Sequence, residues 1–282
     1  MGPETQKLTA LKKRLLALES CLVAYSGGVD SVFLAYIAHQ VLGEKALAVV
    51  ADSPSLPRRE LKEALELGAQ FGFPVEVVKT HEFDNQEYLS NPNNRCFFCK
   101  HELFLELKPM ATAKGFKAII YGENASDAGD HRPGAMAAAS FGVVAPLKEV
   151  GLSKAEIREL SRQLGLPTCD KPQMACLSSR IPYGEAVTPE KLLMIENAEY
   201  ALRDAGFFDV RVRHHELKGG HLARIELGAG EMTRLFDEDI YSELAARICQ
   251  FGYSHVTLDL KGYRRGSLNE QPLGFKRRAA IV

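Results

Sequence analysis

Leu22-Val23-Ala24 is a short unbroken apolar run that stops at two glycines, and the stretch from about Asp30 to Leu42 then reads as a helix. Ala46 to Ala51 is a second apolar run, followed by a charged, leucine-spaced helix over Arg58 to Phe71 and a third strand at Pro74 to Val78. The spacing predicts a helix over Phe97 to Lys114 and a fourth strand at Ala118 to Tyr121. Strands alternating with helices predict an α/β fold with a doubly wound parallel sheet, its site at the carboxyl ends of the strands.

Ser153 and Glu156 form a capping box ahead of a helix whose Ile157, Leu160 and Leu164 share a face, ended by Gly165 and Pro167. From Pro167 to Gly184 the chain is rich in Pro, Ser and Cys and has no period, so it reads as a junction. Beyond it, Thr188 caps and Pro189 opens a helix running to Gly206. Val210 to Arg213 and Leu222 to Leu227 alternate as strands. Met232, Phe236, Ile240, Leu244 and Ile248 recur every four residues, predicting one helix ended by Gly252, and Val256 to Leu260 reads as a last strand. The expected organisation is a first domain over 1–166, a cysteine-bearing junction over 167–186 and a smaller C-terminal α+β domain over 187–282.

Composition narrows what such a chain does. With 36 acidic and 35 basic residues in 282 the formal charge is −1, which argues against gripping nucleic acid through bulk charge. Apolar runs such as Ala46 to Ala51, six residues long, are too short to span a bilayer. The first residues mix Lys12, Lys13 and Arg14 with Glu19 and show no signal peptide, so a cytoplasmic protein without membrane partners is expected. Six cysteines would suit disulfides only in an oxidising compartment; in the cytosol, close pairs more often bind metal or do chemistry.

The sharpest motif is Ser26-Gly27-Gly28-Val29-Asp30-Ser31, after the first strand and opening a helix. Glycines let the backbone approach an anion, the helix start offers free N–H groups, and both serine hydroxyls can donate. Asp30 can hold Mg²⁺ against phosphates or cap the helix. No Gly-Lys-Ser/Thr follows, so this is not a Walker A loop.

That hexapeptide resembles the PP-loop of ATP pyrophosphatases, which binds the pyrophosphate released when ATP adenylates a substrate. The resemblance extends to Tyr121-Gly122-Glu123-Asn124 with Asp127, Asp130 and Arg132-Pro133-Gly134, and to Cys176 through Gly184. Val210 to Arg213, Thr257 to Leu260 and Gly262-Tyr263-Arg264 follow the same family pattern. Together these resemble the LarE family of ATP-dependent sulfur transferases, which build the nickel-pincer nucleotide used in lactate racemase maturation. The likeness implies ATP bound by Ser26, Gly27, Gly28, Asp30, Ser31 and Gly122. It also implies adenylation of a pyridinium-3,5-biscarboxylic acid mononucleotide and a homo-oligomer, a hexamer.

Spacing alone leaves Cys96-Phe97-Phe98-Cys99 open as a redox dithiol, half a zinc site with His101 nearby, or a chance pair. The family resemblance implies two sulfur sources. In one form the cysteine at the position of Cys176 is sacrificed. In the other, three cysteines, here Cys96, Cys99 and Cys176, hold a 4Fe-4S cluster whose remaining iron carries the sulfur for transfer. The second form is expected here. Cys21 and Cys249 read as core side chains, and Cys169 as a spare ligand at most.

Ser179, Arg180, Arg211 and Arg213 match family positions implicated in gripping the substrate phosphate, with Arg211 and Arg213 on one strand face. Lys100 and Arg132 are further candidates for anion contacts. Asp127 and Asp130 suit Mg²⁺ or Arg132. Glu199 and Glu226 match acidic family positions associated with metal at a subunit contact. Three rival readings stand beside this one: a tRNA thiolase, disfavoured by the absence of a second Cys-x-x-Cys pair; a non-catalytic nucleotide or iron-sulfur protein; and an amide-forming enzyme.

Overall fold

The computed structural model describes residues 3–127, 133–172, 175–228, 230–237 and 240–264. The chain divides into two compact units, Met1–Cys176 and Leu177–Val282.

The first unit runs α1 (Pro3–Leu18), β1 (Cys21–Tyr25), α2 (Val29–Leu42), β2 (Ala46–Asp52), α3 (Arg58–Phe71), β3 (Val75–Lys79), α4 (Gln86–Leu89), α5 (Arg95–Lys114), β4 (Ala118–Tyr121), α6 (Pro133–Ser140), α7 (Pro146–Glu149) and α8 (Lys154–Gln163). Its four strands are all parallel, in the order β3-β2-β1-β4. An isolated pairing of Val144 with Ile120 extends the β4 side. β1 is buried along its whole length because a central parallel strand is covered on both faces. Alternation sends Cys21, Val23 and Tyr25 to one core with Val32, Phe33 and Ile37 of α2. Leu22 and Ala24 go to the other, with Phe104 and Leu107 of α5.

The expected α/β fold is therefore present. Since β2 lies on one side of β1 and β4 on the other, the order reverses beside β1, and the carboxyl end of the β1–β4 pair is where such sheets bind ligands. α5 opens two residues before the periodicity suggested, at Arg95, after a turn in which the Arg95 amide donates to Pro92 O. Both Cys96 and Cys99 thus lie in its first turns. The Ser153–Glu156 capping box is formed in both directions.

The second unit contains α9 (Pro189–Asp204), β5 (Val210–Leu217), β6 (Gly220–Leu227), α10 (Arg234–Asp237), α11 (Tyr241–Cys249) and β7 (His255–Leu258). β5 and β6 pair antiparallel and β7 joins β6 in parallel, giving a three-stranded mixed sheet. Thr188 caps α9 through its hydroxyl, which accepts from the Lys191 amide at 3.3 Å. The single helix expected from Met232 to Ile248 is replaced by α10 and α11, with Ile240 immediately before the second. Met232 lies in a turn and Ile240 outside both helices, so the four-residue period marks apolar positions without marking one helix. Cys21 is buried as expected, but Cys249 is exposed because it ends α11 beyond the buried stripe of Leu244 and Ile248.

Candidate active site

β1 hands the chain to α2 through Ser26-Gly27-Gly28. Gly27 has φ +70°, and a Cβ there would lie 3.0 Å from Ala64 Cβ on α3, so conformation and space both require glycine. The Tyr25 hydroxyl donates to Ala64 O at 3.0 Å and ties the loop to the same helix. Ser31 Oγ donates to Gly28 O at 3.0 Å, accepts from the Ser26 amide at 3.1 Å and lies 3.1 Å from Ser26 Oγ. These bonds pre-form the turn that presents the start of α2, where backbone N–H groups and the helix dipole favour an anion.

Gly122 follows β4 and backs onto that turn: a Cβ there would meet the Asp30 carbonyl carbon, Asp30 Cβ and the Ser31 nitrogen, each at 3.1 Å. The structure therefore joins Ser26, Gly27, Gly28, Asp30, Ser31 and Gly122 in one place. Beside them Glu123 is buried, accepting from Lys148 Nζ at 2.8 Å and from the Tyr121 hydroxyl. Asp127 accepts from the Asn124 amide at 3.2 Å. Asp130 and Arg132 lie outside the described residues.

Basic side chains that sequence reasoning missed surround the loop. Lys154 Nζ bonds Asp30 Oδ2 at 2.6 Å. Lys171 Nζ reaches Gly27 O at 3.5 Å and Glu63 at 3.0 Å. Arg158 donates to Cys169 O and, at 2.8 Å, to Lys171 O, holding that segment in place. Lys154 and Arg158 are four apart at the start of α8, a spacing that marks one helix face; nothing in the sequence around Lys171 pointed to the loop. Burial raises the Asp30 carboxyl above its ordinary value and Asp127 adds to this, while Lys154 and Arg158 oppose it. Asp30 Oδ1 is buried with no hydrogen-bond partner among the described residues, an available hard oxygen of the kind Mg²⁺ takes.

Cys96 and Cys99, three apart on α5, share a face. Desolvation raises both thiols above their ordinary values and Cys176 adds to each, while Arg95 and Lys100 pull Cys96 the other way. Among the described residues no three His, Cys, Asp or Glu side chains are grouped so as to hold a metal ion. The His101 ring packs edge-on against Phe141, centroids 5.0 Å apart. Cys169 donates to Asp170 at 3.4 Å. Lys100 Nζ lies 6.0 Å from the Phe104 ring centre.

In the second unit, Arg180 is fully buried and pairs with Glu199 through Nε at 2.8 Å and Nη2 at 3.1 Å. Arg203 adds a bond at 2.9 Å and the Val212 amide another at 3.1 Å. Burial would raise the Glu199 pKa, but Arg180, Arg203 and Arg211 overcome it and bring it down to about 2. Arg213, two residues from Arg211 on β5, donates to Ser179 O at 2.9 Å and to Glu226 at 2.8 Å. Arg211 lies 4.8 Å from the Tyr263 ring centre, and burial followed by Arg180 lowers its pKa. Glu199 and Glu226 are thus the buried counter-ions of these arginines, a role their separation in sequence did not disclose.

A glycine turn opening a helix at the switch point of a parallel sheet is the arrangement expected of the PP-loop class of ATP-using enzymes. The NAD synthase family model accordingly matches residues 9–93. The chain is 32% identical over 272 residues to the pyridinium-3,5-bisthiocarboxylic acid mononucleotide synthase of Lactiplantibacillus plantarum, covering 96% of each. It is 45% identical to an uncharacterized protein of Synechocystis sp., over 93% of this chain and 97% of that one. The glutamine-hydrolyzing GMP synthase of Synechocystis sp. is 27% identical over 65% of this chain and 39% of its own length. The chain belongs to the LarE family, that of the pyridinium-3,5-bisthiocarboxylic acid mononucleotide synthases, and is an ATP-dependent adenylating enzyme. No helix among the described residues is long and apolar enough to cross a membrane.

Proposed function

We propose that the protein adenylates the carboxylates of pyridinium-3,5-biscarboxylic acid mononucleotide and replaces an oxygen of each with sulfur, toward a nickel-pincer nucleotide. Near full-length similarity to the synthase of that name supports the substrate. What supports the sulfur chemistry is that Cys96 and Cys99 share a face in the first turns of α5 and that Cys176 stands at the position of the family's sulfur-bearing cysteine.

In the first step a substrate carboxylate oxygen bonds to the α-phosphorus of ATP, and the bond to pyrophosphate breaks. The amides at Gly27, Gly28 and the α2 start receive the departing charge, with the Ser26 and Ser31 hydroxyls beside them. Lys154 and Lys171 supply positive charge at the same turn. Asp30 would hold Mg²⁺ through its unpartnered oxygen, and the metal would offset phosphate charge. In the second step a sulfur nucleophile attacks the acyl carbon and AMP leaves.

Thiolates are the soft donors that iron-sulfur clusters take, and none of Cys96, Cys99 and Cys176 is in a disulfide. Cys96, Cys99 and Cys176 would hold a 4Fe-4S cluster, which supplies an iron without cysteine and so an exchangeable sulfur. Ser179, Arg211 and Arg213 would take the phosphate of the mononucleotide, with Arg180 positioned by Glu199 behind them. The proposed division of labour is activation by residues 1–166, a cysteine-bearing junction at 167–186, and substrate holding and assembly by 187–282.

Anaerobic iron and sulfide quantification on wild type beside Cys96→Ala, Cys99→Ala and Cys176→Ala tests this. Loss of iron in all three variants is expected. A wild type that stays iron-free after reconstitution overturns the cluster, and loss of sulfur from Cys176 by intact mass after one turnover assigns the sacrificial route instead. No pyrophosphate release from ATP and the biscarboxylate would overturn the activity itself.

A further inference from the structure

Lys154 is the first residue of α8, directly after the Ser153 cap. A cation is poorly placed there, because the helix dipole already puts partial positive charge at that end. Asp30 of α2 compensates it from 124 positions away: its Oδ2 accepts from Lys154 Nζ at 2.6 Å. The backbone beneath the lysine is fixed, since its amide donates to Ser126 Oγ at 3.0 Å and the capping box locks the residue before it. The side chain is freer. It is 30% exposed, and a long flexible stem carries the ammonium.

The two oxygens of Asp30 are used unequally. Oδ2 carries the ammonium, while Oδ1 is buried and has no hydrogen-bond partner among the described residues. An ammonium and a divalent cation at one carboxylate repel each other. Mg²⁺ is commonly held by one or two carboxylates together with substrate phosphates, and among the described residues no three acidic, His or Cys side chains are grouped to hold a metal. A cation arriving alone therefore meets a single carboxylate already paired with lysine. A cation arriving on a triphosphate brings further ligands, and with them anions that the lysine can join. The Ser26–Ser31 turn that would receive those anions contains Asp30 itself, and Lys171 Nζ lies 3.5 Å from its Gly27 O.

We propose that Lys154 is an exchangeable counter-ion that makes metal and nucleotide binding at Asp30 interdependent. Paired with Asp30, it keeps the carboxylate from a divalent cation alone. When the cation comes with ATP, the ammonium leaves Asp30 for the phosphates, and no charge is left buried without a partner. Lys154 is then a positioning residue that admits metal and nucleotide together. This rests on the reading of the turn as the nucleotide site.

The test titrates the full-length protein with Mn²⁺, free metal being read by electron paramagnetic resonance. The metal is added first alone and then with α,β-methylene-ATP, which cannot release pyrophosphate. Lys154→Met is expected to bind Mn²⁺ alone about tenfold more tightly than wild type, and Mn²⁺ with the nucleotide about tenfold more weakly. A residue that merely supported the fold would lower both affinities. In an Asp30→Asn background the gain should vanish, because no carboxylate charge is left to uncover. Lys154→Arg, which keeps the charge, should match wild type with the metal alone. A Lys154→Met protein that binds Mn²⁺ alone no better than wild type overturns the proposal. So does a gain that survives Asp30→Asn, or an unchanged affinity for metal with nucleotide; each leaves the nucleotide reading of the turn standing. A folded wild type that binds no nucleotide with Mn²⁺ overturns both together. Should Lys154→Met fail to fold, Lys154→Gln makes the same comparison.

Discussion

Gly122→Ala isolates the contact that couples β4 to the Ser26–Ser31 turn proposed to receive pyrophosphate. The backbone at Gly122 is not in the left-handed region, so the added methyl brings no conformational penalty and its effect is steric. It would stand 3.1 Å from three atoms of Asp30 and Ser31, two of them backbone, where ordinary contact begins at 3.4 Å. None of these is the free end of a side chain, so the start of α2 must move by a few tenths of an ångström or strain in place. Overpacking of this kind costs about 1–3 kcal/mol. A misplacement of ~1 Å costs about a hundredfold in rate, so this smaller shift predicts about a tenfold loss. The assay is pyrophosphate release from ATP and the biscarboxylate, beside urea denaturation of the same preparation. Gly219→Ala is the control, since a Cβ in that β5–β6 turn meets nothing within 4 Å. Wild-type pyrophosphate release by Gly122→Ala, or an equal loss in Gly219→Ala, would refute the reasoning.

Lys154→Met removes the ammonium 2.6 Å from Asp30, and Mg-ATP affinity should fall about tenfold or more by calorimetry; an unchanged Kd would show that Lys154 does not serve the phosphates. Glu199→Ala strands the buried Arg180 and should cost about 3–5 kcal/mol in denaturant unfolding, a loss under 1 kcal/mol being contrary. Because the folded Glu199 pKa lies at about 2 against an ordinary 4.5, its stabilisation is full above pH 4.5 and is lost as pH falls toward 2. His214 is buried between His221 and Tyr253, near Lys191, Glu216 and His215, and burial lowers its pKa from 6.5 to about 4. Its protonation opposes folding, so stability should decline as pH falls from 6.5 toward 4, and His214→Phe should flatten that slope in pH-dependent unfolding.

The parallel sheet was legible because β1 and most of β2 and β4 are compact apolar runs, while the edge strand β3 carries Glu76 and Lys79 among its valines. The turn between β1 and α2 was legible because only glycine satisfies Gly27, where φ is positive and Ala64 leaves no room. The family pattern around Cys176 and the Arg211–Arg213 strand was equally local, a matter of residues a few positions apart. Where local pattern misled, as in the helix expected across 232–248, a four-residue period placed apolar residues on one face that two separate helices and a turn in fact share. Which charges face one another was decided by the tertiary structure. Lys154 meets Asp30 across 124 positions, Lys171 meets Gly27 across 144, and Glu199 meets Arg180 from another element. Long polar side chains carry no period that reveals their target, because their reach is set by the packing of the elements beneath them.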